Sequence, residues 1–511
     1  MKMLLRKIFF ILIPIVLFAA VYFALLGVAG SQPFGHDEAV YLTKARSWIN
    51  GMPADEYGPY RPIGMVGFGW IFLNFGDSEN FLRLFGVFFG SLSAGLLYLL
   101  FKRVTNTFVS IAVVAAVTSS YFFLQESPLF QNDVPSSGLL FGMLWSIYVY
   151  IESSGRSKII YLAPIFGAAA FYIRYGASVP IAISLLLSVA YFLPVVLKDG
   201  VKLYGLLKKT FIIALLLFSP HFIYSYFEMG SPLGILSLSG KAAGRKYIGE
   251  GLVNYIQWLP HDMGGWLMGV AAIIGALMTL AIIFEKRLRV AYAGLGWLGS
   301  IGILSFIVTG LLVHAEARYV FFSVALLSGV GISGIYYLAR SLSARFGYFI
   351  YAILMAFIFY TGTIYFQKAE TFFDSKESDR YRVSYKSVSE FISNDSEKQG
   401  GCAIWAVTTY RPAVSWYSKC RTFSVTNAEA FNRDYLLSSG MVRYSVVLEK
   451  VVPGQITTQL AEKYGVELRE VFRTNNLSYA SRGDIIVYKI IKSDFSSSEE
   501  NISAEREWFT P

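Results

Sequence analysis

The sequence predicts a polytopic α-helical membrane protein of about eleven transmembrane helices, followed by a small soluble α/β domain. Three observations carry that expectation: the composition, the spacing of the apolar windows, and the alternation of charge between them. Of 511 residues, 55% are hydrophobic and 15% charged, with a mean hydropathy of +0.51. A soluble domain is about a quarter charged, and a disordered chain does not carry 42 Phe, 34 Tyr and 9 Trp. The 44 Lys and Arg against 34 Asp and Glu leave a net charge of +10. In a soluble chain this would suggest nucleic acid. Here the cations lie between apolar runs, where membrane topology accounts for them, and no nucleic-acid partner is expected.

The apolar windows are 8–29, 84–101, 108–124, 134–151, 159–173, 177–197, 211–227, 263–284, 290–313, 319–339 and 346–366. Most approach the roughly 20 residues that cross about 30 Å of hydrocarbon. The first could instead be a secretory signal, because Val28, Ala29, Gly30 and Ser31 offer small residues for cleavage. Its length exceeds the about 7 to 15 residues of a signal core, which favours a retained span. Windows 159–173 and 177–197 are separated only by Arg174, Tyr175 and Gly176 and read as a tight helical hairpin. A further apolar stretch, Pro62 to Phe75, would reach only about 21 Å as a helix and reads as re-entrant or interfacial.

Charge sets the expected orientation. With Met1 inside, the inside segments carry Lys2, Arg6 and Lys7; Lys102 and Arg103; Arg156 and Lys158; Lys198, Lys202, Lys208 and Lys209; Lys286, Arg287 and Arg289; and Arg340 and Arg345. Their only acidic residues are Glu152, Asp199 and Glu285. Positive-inside sorting then puts the amino terminus in the cytoplasm and the carboxyl-terminal domain outside the cell membrane. The expected domains are 1–366 in the membrane and 367–511 outside it. The four histidines, His36, His221, His261 and His314, and most acidic residues of the membrane part fall toward the outer side. Any chemistry is expected there.

In the tail, Cys402 to Val407, Thr422 to Val425, Tyr444 to Glu449 and Asp484 to Ile490 are β-rich. Helix-compatible stretches, Tyr385 to Ile392, Ala413 to Ser418 and Gln455 to Tyr464, separate them, which favours a partly parallel sheet covered by helices. The chain's two cysteines, Cys402 and Cys420, each stand at the start of a predicted strand. Adjacent parallel strands would set them side by side, and a disulfide would stabilise the domain by about 3 kcal/mol. Two free buried thiols are the alternative. No CxxC or paired-His spacing accompanies them.

The sharpest local signal is Gly35-His36-Asp37-Glu38-Ala39-Val40-Tyr41. Adjacent carboxylates beside a His could supply a general base, since a neighbouring negative charge and desolvation both raise a carboxyl pKa. The plainer reading is capping, with Asp37 and Glu38 serving the free amides of a helix from Ala39 to Ile49. Three further elements follow in order: Tyr60-Arg61-Pro62-Ile63 before the re-entrant stretch, Asn132-Asp133-Val134-Pro135 before one span, and His314-Ala315-Glu316-Ala317-Arg318-Tyr319 before another.

Taken together, this order resembles the membrane-embedded GT-C glycosyltransferases, specifically the protein O-mannosyltransferase and lipid A aminoarabinose transferase group of glycosyltransferase family 39. Those proteins show Asp-Glu-x-x-Tyr in the first outer loop, then a basic-Pro-Pro-like element, an Asp-x-Pro element and a late Arg-Tyr. The resemblance covers roughly residues 8 to 340, and the tail resembles the family's optional outer domain. Arg61-Pro62-Ile63 keeps the cation of the second element and loses one proline, and the proline that often follows the late element is missing.

The resemblance implies a polyprenyl-phosphate-linked sugar as donor and a protein, lipid or polysaccharide acceptor at the outer face. The residues are consistent with that, because neither GxGxxG after a strand nor GxxxxGK[ST] occurs to hold a nucleotide sugar. A phosphate leaving group calls for cations and an acceptor hydroxyl for a base. Arg61, Arg174, Arg245, Lys246 and Arg318 are the outer-facing cations. Arg174 and Arg318 could instead snorkel at span ends, and Arg245 and Lys246 could be solvated in a Gly-rich loop. Asp37, matching the family's loop-one Asp, is the expected base, with Glu38 and Asp133 orienting it or the substrate. No cofactor is required by the residues. A divalent metal could be held by His261, His314 and Glu316, against the plainer reading of polar loop residues. The rival classes are a lipid-linked-sugar transporter or flippase and a sensor with an outer ligand-binding domain. The windows contain none of the charged residues that transporters place at mid-bilayer and no halves correspond, and a sensor would leave Asp37, Arg61 and Asp133 without a shared role.

Overall fold

A computed structural model describes residues 2–30, 32–52, 54, 57–196, 200–242, 244, 246–259, 264–373, 380–396, 403–406, 411–424, 442–449, 466–475 and 483–493. The first helices are α1 (Lys2–Val28), α2 (His36–Asn50), α3 (Ile63–Leu73), α4 (Glu79–Val104), α5 (Thr107–Thr118), α6 (Tyr121–Glu126), α7 (Asp133–Glu152), α8 (Leu162–Ile173), α9 (Ser178–Val196) and α10 (Gly200–Met229). They are followed by α11 (Gly234–Ala242), α12 (Glu250–Trp258), α13 (Trp266–Phe284), α14 (Lys286–Ala291), α15 (Ala293–Leu312), α16 (Phe321–Leu342), α17 (Ala344–Phe373), α18 (Arg380–Ser396) and α19 (Arg411–Ser418).

Among the described residues, 8 helices are long and apolar enough to cross a membrane. Shorter apolar helices at Leu12–Val28, Thr107–Thr118 and Lys158–Ile173 fill the remaining expected windows, and Ile63–Leu73 is the stretch judged too short to span. The chain is a multi-pass membrane protein, and each expected window carries a helix.

Two features differ from expectation in detail. The run 108–124 is not one helix but breaks at Ser119 and Ser120. Ser120 Oγ accepts from the Phe123 amide at 3.3 Å and donates to the Val117 carbonyl at 2.7 Å, so the serine ends α5 and starts α6. The expected hairpin of α8 and α9 is not a packed pair: α8 leans on α7 and α10, and α9 on α15. Arg174, extended at φ −152, and a 3-10 turn at Tyr175–Ala177 join them.

By its internal contacts the chain divides into two compact units. The helical unit comprises Met1–Ala29, Pro59–Met65 and Arg83–Glu370. Burial separates its interior from its lipid-facing rim: the apolar windows ending in α7 and α16 are 83% and 89% buried, those of α10 and α17 only 6% and 11%. Lipid tails supply no hydrophobic drive between helices, so close approach must. At the α13–α16 contact, Gly275 and Gly331 permit it. A Cβ on either would lie 1.9 Å from a carbonyl of the other helix, Leu327 O or Ala271 O. Ser328 Oγ then donates across to Met268 O at 2.8 Å.

In α10, Pro220 lacks an amide, and its ring crowds the carbonyl four residues back. Tyr172 of α8 inserts its hydroxyl just beyond, donating to Leu217 O at 3.0 Å and accepting from His221 N at 3.2 Å. A hydroxyl within the helical ladder is one of the recognised causes of a kink. His221 is buried, its ring between Phe171 and Tyr175 at 4.7 and 4.8 Å. The ring thus packs among aromatic neighbours.

The second unit comprises Gly30–Gly58, Val66–Leu82 and Thr371–Pro511. Its sheet has strands β1 (Ala403–Ala406), β2 (Arg421–Ser424), β3 (Val442–Leu448), β4 (Val466–Thr474) and β5 (Ile485–Ser493), in the order β2-β1-β3-β5-β4. β1 is parallel to β2 and β3, whereas β5 is antiparallel to β3 and β4, giving the partly parallel sheet expected. Helices α18 and α19 cover it through Tyr385, Val388, Ile392 and Val414, packed with Ile404, Tyr444, Val446 and Val487.

Strand β4 was not expected. Its alternation is interrupted by Glu467, Arg469, Glu470 and Arg473, which suits an edge strand whose exposed charges discourage further pairing. Cys420 is fully buried and disulfide-bonded, and β1 and β2 set Ala403 opposite Arg421 in parallel register. Cys402 and the stretch Gln455 to Tyr464 lie outside the described residues.

Candidate functional site

Each unit carries its own group of the residues singled out by sequence. In the helical unit the group is built at helix ends. Asp133 opens α7, where the helix dipole favours an anion, and is 1% exposed. Arg174, set extended after α8, places Nη1 3.0 Å from Asp133 Oδ1. The short loop after α15 brings Arg318, whose Nε lies 3.9 Å from Asp133 Oδ2. Arg174 and Arg318 therefore converge on one buried carboxylate rather than snorkelling. The Tyr319 ring lies against both guanidinium groups, at 4.9 and 5.6 Å.

Glu316 shares this loop. It accepts from Arg318 Nε, and its other oxygen meets His314 Nε2 at 3.0 Å. Burial alone would raise the Glu316 carboxyl. The Arg318 charge and the His314 hydrogen bond outweigh it and hold the group below the usual carboxylate range. Arg318 Nη1 also donates to Gln131 Oε1 at 3.3 Å. Tyr255 of α12 closes the loop from behind, donating to His314 O at 3.1 Å and accepting from Glu316 N at 3.3 Å. Desolvation pushes the Tyr255 hydroxyl up to about 12, so it stays protonated and keeps both roles. Sequence reading missed Tyr255 because a lone tyrosine in a polar loop carries no pattern.

Arg61 is placed by the start of α3. Ile63 N donates to Tyr175 Oη at 3.4 Å, and Gly64 approaches so closely that a Cβ there would lie 2.5 Å from Tyr172 O. The Arg61 segment is thus docked on the turn that carries Arg174. Lys246 is exposed, with its backbone amide donating to Glu250 Oε2 at 2.6 Å. Arg245 and His261 lie outside the described residues. Of the metal candidates, His314 and Glu316 bind one another, and no group of three or more His, Cys, Asp or Glu able to hold a metal occurs among the described residues.

In the second unit, α2 starts at His36 rather than Ala39, which puts Asp37 and Glu38 in its first turn. Glu38 takes the capping role: its Oε2 accepts from Gly35 N at 2.8 Å, and the side chain is fully buried. Asp37 is the partly exposed member of the pair.

The first loop is anchored to α18 and α19. Arg382 Nη1 reaches within 3.6 Å of Glu38 Oε2. Arg46 lies over the Trp416 ring at 3.6 Å and donates to its carbonyl at 2.8 Å. Burial lowers Arg46 to about 10, against the pull of Asp77 and Tyr417, and it remains charged at neutral pH. Phe34 N donates to Tyr417 Oη at 2.7 Å, and Glu79 takes both Tyr417 Oη and Lys386 Nζ, at 2.9 and 2.7 Å.

A family model described as dolichyl-phosphate-mannose-protein mannosyltransferase matches residues 62–224. Among curated proteins none matches the chain. Several solved structures do. ArnT from Cupriavidus metallidurans bound to undecaprenyl phosphate superposes with a TM-score of 0.64 at 13% identity, over 93% of this chain and 97% of that one. Its apo state gives 0.66 at 12% over the same shares. The Archaeoglobus fulgidus oligosaccharyltransferase in complex with Zn and sulfate gives 0.55 at 12%, over 90% of this chain and 72% of that one. The chain has the GT-C fold that these structures share, the resemblance read from its motifs.

Proposed function

We propose that the chain is a glycosyltransferase that moves a sugar from a polyprenyl-phosphate-linked donor to a protein, lipid or polysaccharide acceptor on the outer face of the cell membrane. The observation that carries this reading is the convergence of Arg174 and Arg318 on buried Asp133 at helix ends of a GT-C fold. Two guanidinium groups held by a fixed carboxylate are preorganised for an anion, because their orientation is set before it arrives. The binding of undecaprenyl phosphate by ArnT from Cupriavidus metallidurans supports the donor class.

In the reaction, an acceptor hydroxyl attacks the anomeric carbon, the bond from that carbon to the phosphate oxygen breaks, and polyprenyl phosphate leaves. The hydroxyl proton goes to a carboxylate, assigned to Asp37. Arg61 and Arg318, joined by Arg174 and by Arg245 and Lys246 from the flanking loop, hold the phosphate. Glu38 and Asp133 orient the reacting groups, and no step is assigned to a metal. Purified protein incubated with a panel of polyprenyl-phosphate sugars tests the reading by mass spectrometry. Transfer or hydrolysis of one donor supports it, whereas movement of intact donor across vesicles without either would make the chain a transporter.

Loss of a charge-assisted bond to phosphate costs about 1.5 to 3 kcal/mol, or roughly tenfold to a hundredfold in affinity. Arg61→Ala and Arg318→Ala are each expected to weaken donor binding by that factor. Wild-type binding by either variant would remove that arginine from the phosphate site.

We also propose that the amino terminus is cytoplasmic and the tail is outside, on the distribution of basic residues. A reporter fused after Lys492 should be active only outside the cytoplasm. Cytoplasmic activity would invert the topology.

A further inference from the structure

We propose that Arg382, in α18, is a positioning residue for the candidate base Asp37. The inference rests on the reading of Asp37 as the base. Arg382 Nη1 lies 3.6 Å from Glu38 Oε2 and 3.4 Å from both Gln32 Oε1 and Pro33 O. One guanidinium thus holds the segment on both sides of Gly35. The same Glu38 oxygen accepts the Gly35 amide, so Arg382 grips the capping box that starts α2. Asp37 stands inside that box, and its direction follows the first turn of the helix.

Gly35 leaves the guanidinium its present place in this grip. A Cβ there would lie 2.9 Å from Arg382 Nη2 and 3.0 Å from its Cζ, although the Gly35 backbone, at φ −76 and ψ 179, is open to any residue. The absent side chain makes room for the guanidinium. Arg382 is only 11% exposed and Glu38 0%, so the pair is shielded from the solvent that weakens surface ion pairs. The tail domain on this account is part of the catalytic apparatus.

The test compares Arg382→Ala, Arg382→Lys and Gly35→Ala in the full-length protein. Gly35→Ala displaces the guanidinium without altering any charge. A reacting group shifted by about an ångström loses roughly a hundredfold in rate. Arg382→Ala and Gly35→Ala should therefore each lower kcat about tenfold to a hundredfold while donor Kd stays within about twofold, and Arg382→Lys should recover part of the loss. Amide exchange over residues 32–40 should speed up in the two defective variants. Wild-type kcat in Gly35→Ala, or equal losses in kcat and donor affinity, would overturn the assignment. If Arg382→Ala does not fold, Gly35→Ala and Arg382→Lys decide it. Asp37→Asn run in parallel separates the two failures. Normal turnover in that variant defeats the reading of the base, and the exchange data still report whether Arg382 holds the loop.

Discussion

On the proposed reading, Asp37→Asn is expected to lower sugar transfer by about 10² to 10⁴ while donor binding persists. A hydroxyl is a poor nucleophile until its proton is taken, so a carboxylate must lie within hydrogen-bond reach of it. The two acids of the motif divide the work. Glu38 is fully buried and committed to the Gly35 amide and Arg382, whereas Asp37 keeps partial exposure. Asparagine retains size and hydrogen-bonding shape, and only the basicity goes. The measurements are single-turnover transfer and, separately, equilibrium donor binding. Near-normal turnover in Asp37→Asn, together with a collapse in Asp133→Asn, would require the two roles to be exchanged.

Arg174→Ala is expected to destabilise the protein by about 3 kcal/mol, because removing one partner of a buried pair leaves an uncompensated charge. Asp133 is 1% exposed, and after this change Arg318 remains beside it, with Nε 3.9 Å away. The residual pairing places the effect at the lower end of the about 3 to 5 kcal/mol span for broken buried pairs. Combining Arg174→Gln with Asp133→Asn removes both charges and should recover most of the loss. Unfolding in mixed micelles measures all three proteins. An Arg174→Ala protein within about 1 kcal/mol of wild type would show that Asp133 does not depend on Arg174.

The membrane helices were legible because each of their signals is local. An apolar run the length of α7 or α16 has few alternatives, and the loops carry their sign of charge beside it. Asp133 and Arg318 were legible as motif members standing before spans. Arg174 was read as either a clamp or a snorkelling residue, since the sequence does not say that α8 ends against the start of α7. The long-range partners left no trace at all. Glu38 and Arg382 meet through folding of distant segments, and nothing near either names the other. Tyr172 reads as one more aromatic in a span, although its hydroxyl enters the ladder of α10. Strand β4 was hidden by its own edge position, which replaced the alternating apolar pattern with Glu467, Arg469, Glu470 and Arg473.

The anchoring of the first loop by α19 has a consequence in time. Phe34 and Tyr417 bond although 383 residues separate them. Closure entropy grows only logarithmically, by about 0.6 kcal/mol per doubling of length, so this separation costs little in stability. It costs time instead. At about 5 to 20 residues per second, roughly 20 to 80 s of synthesis pass between the two residues. Throughout that interval the segment carrying Asp37 has neither Trp416 nor Tyr417 to pack on. A nascent chain, or one cut short before α19, therefore holds this segment without the contacts that Trp416 and Tyr417 make with Phe34 and Arg46. The loop gains its anchor only after α19 has been made.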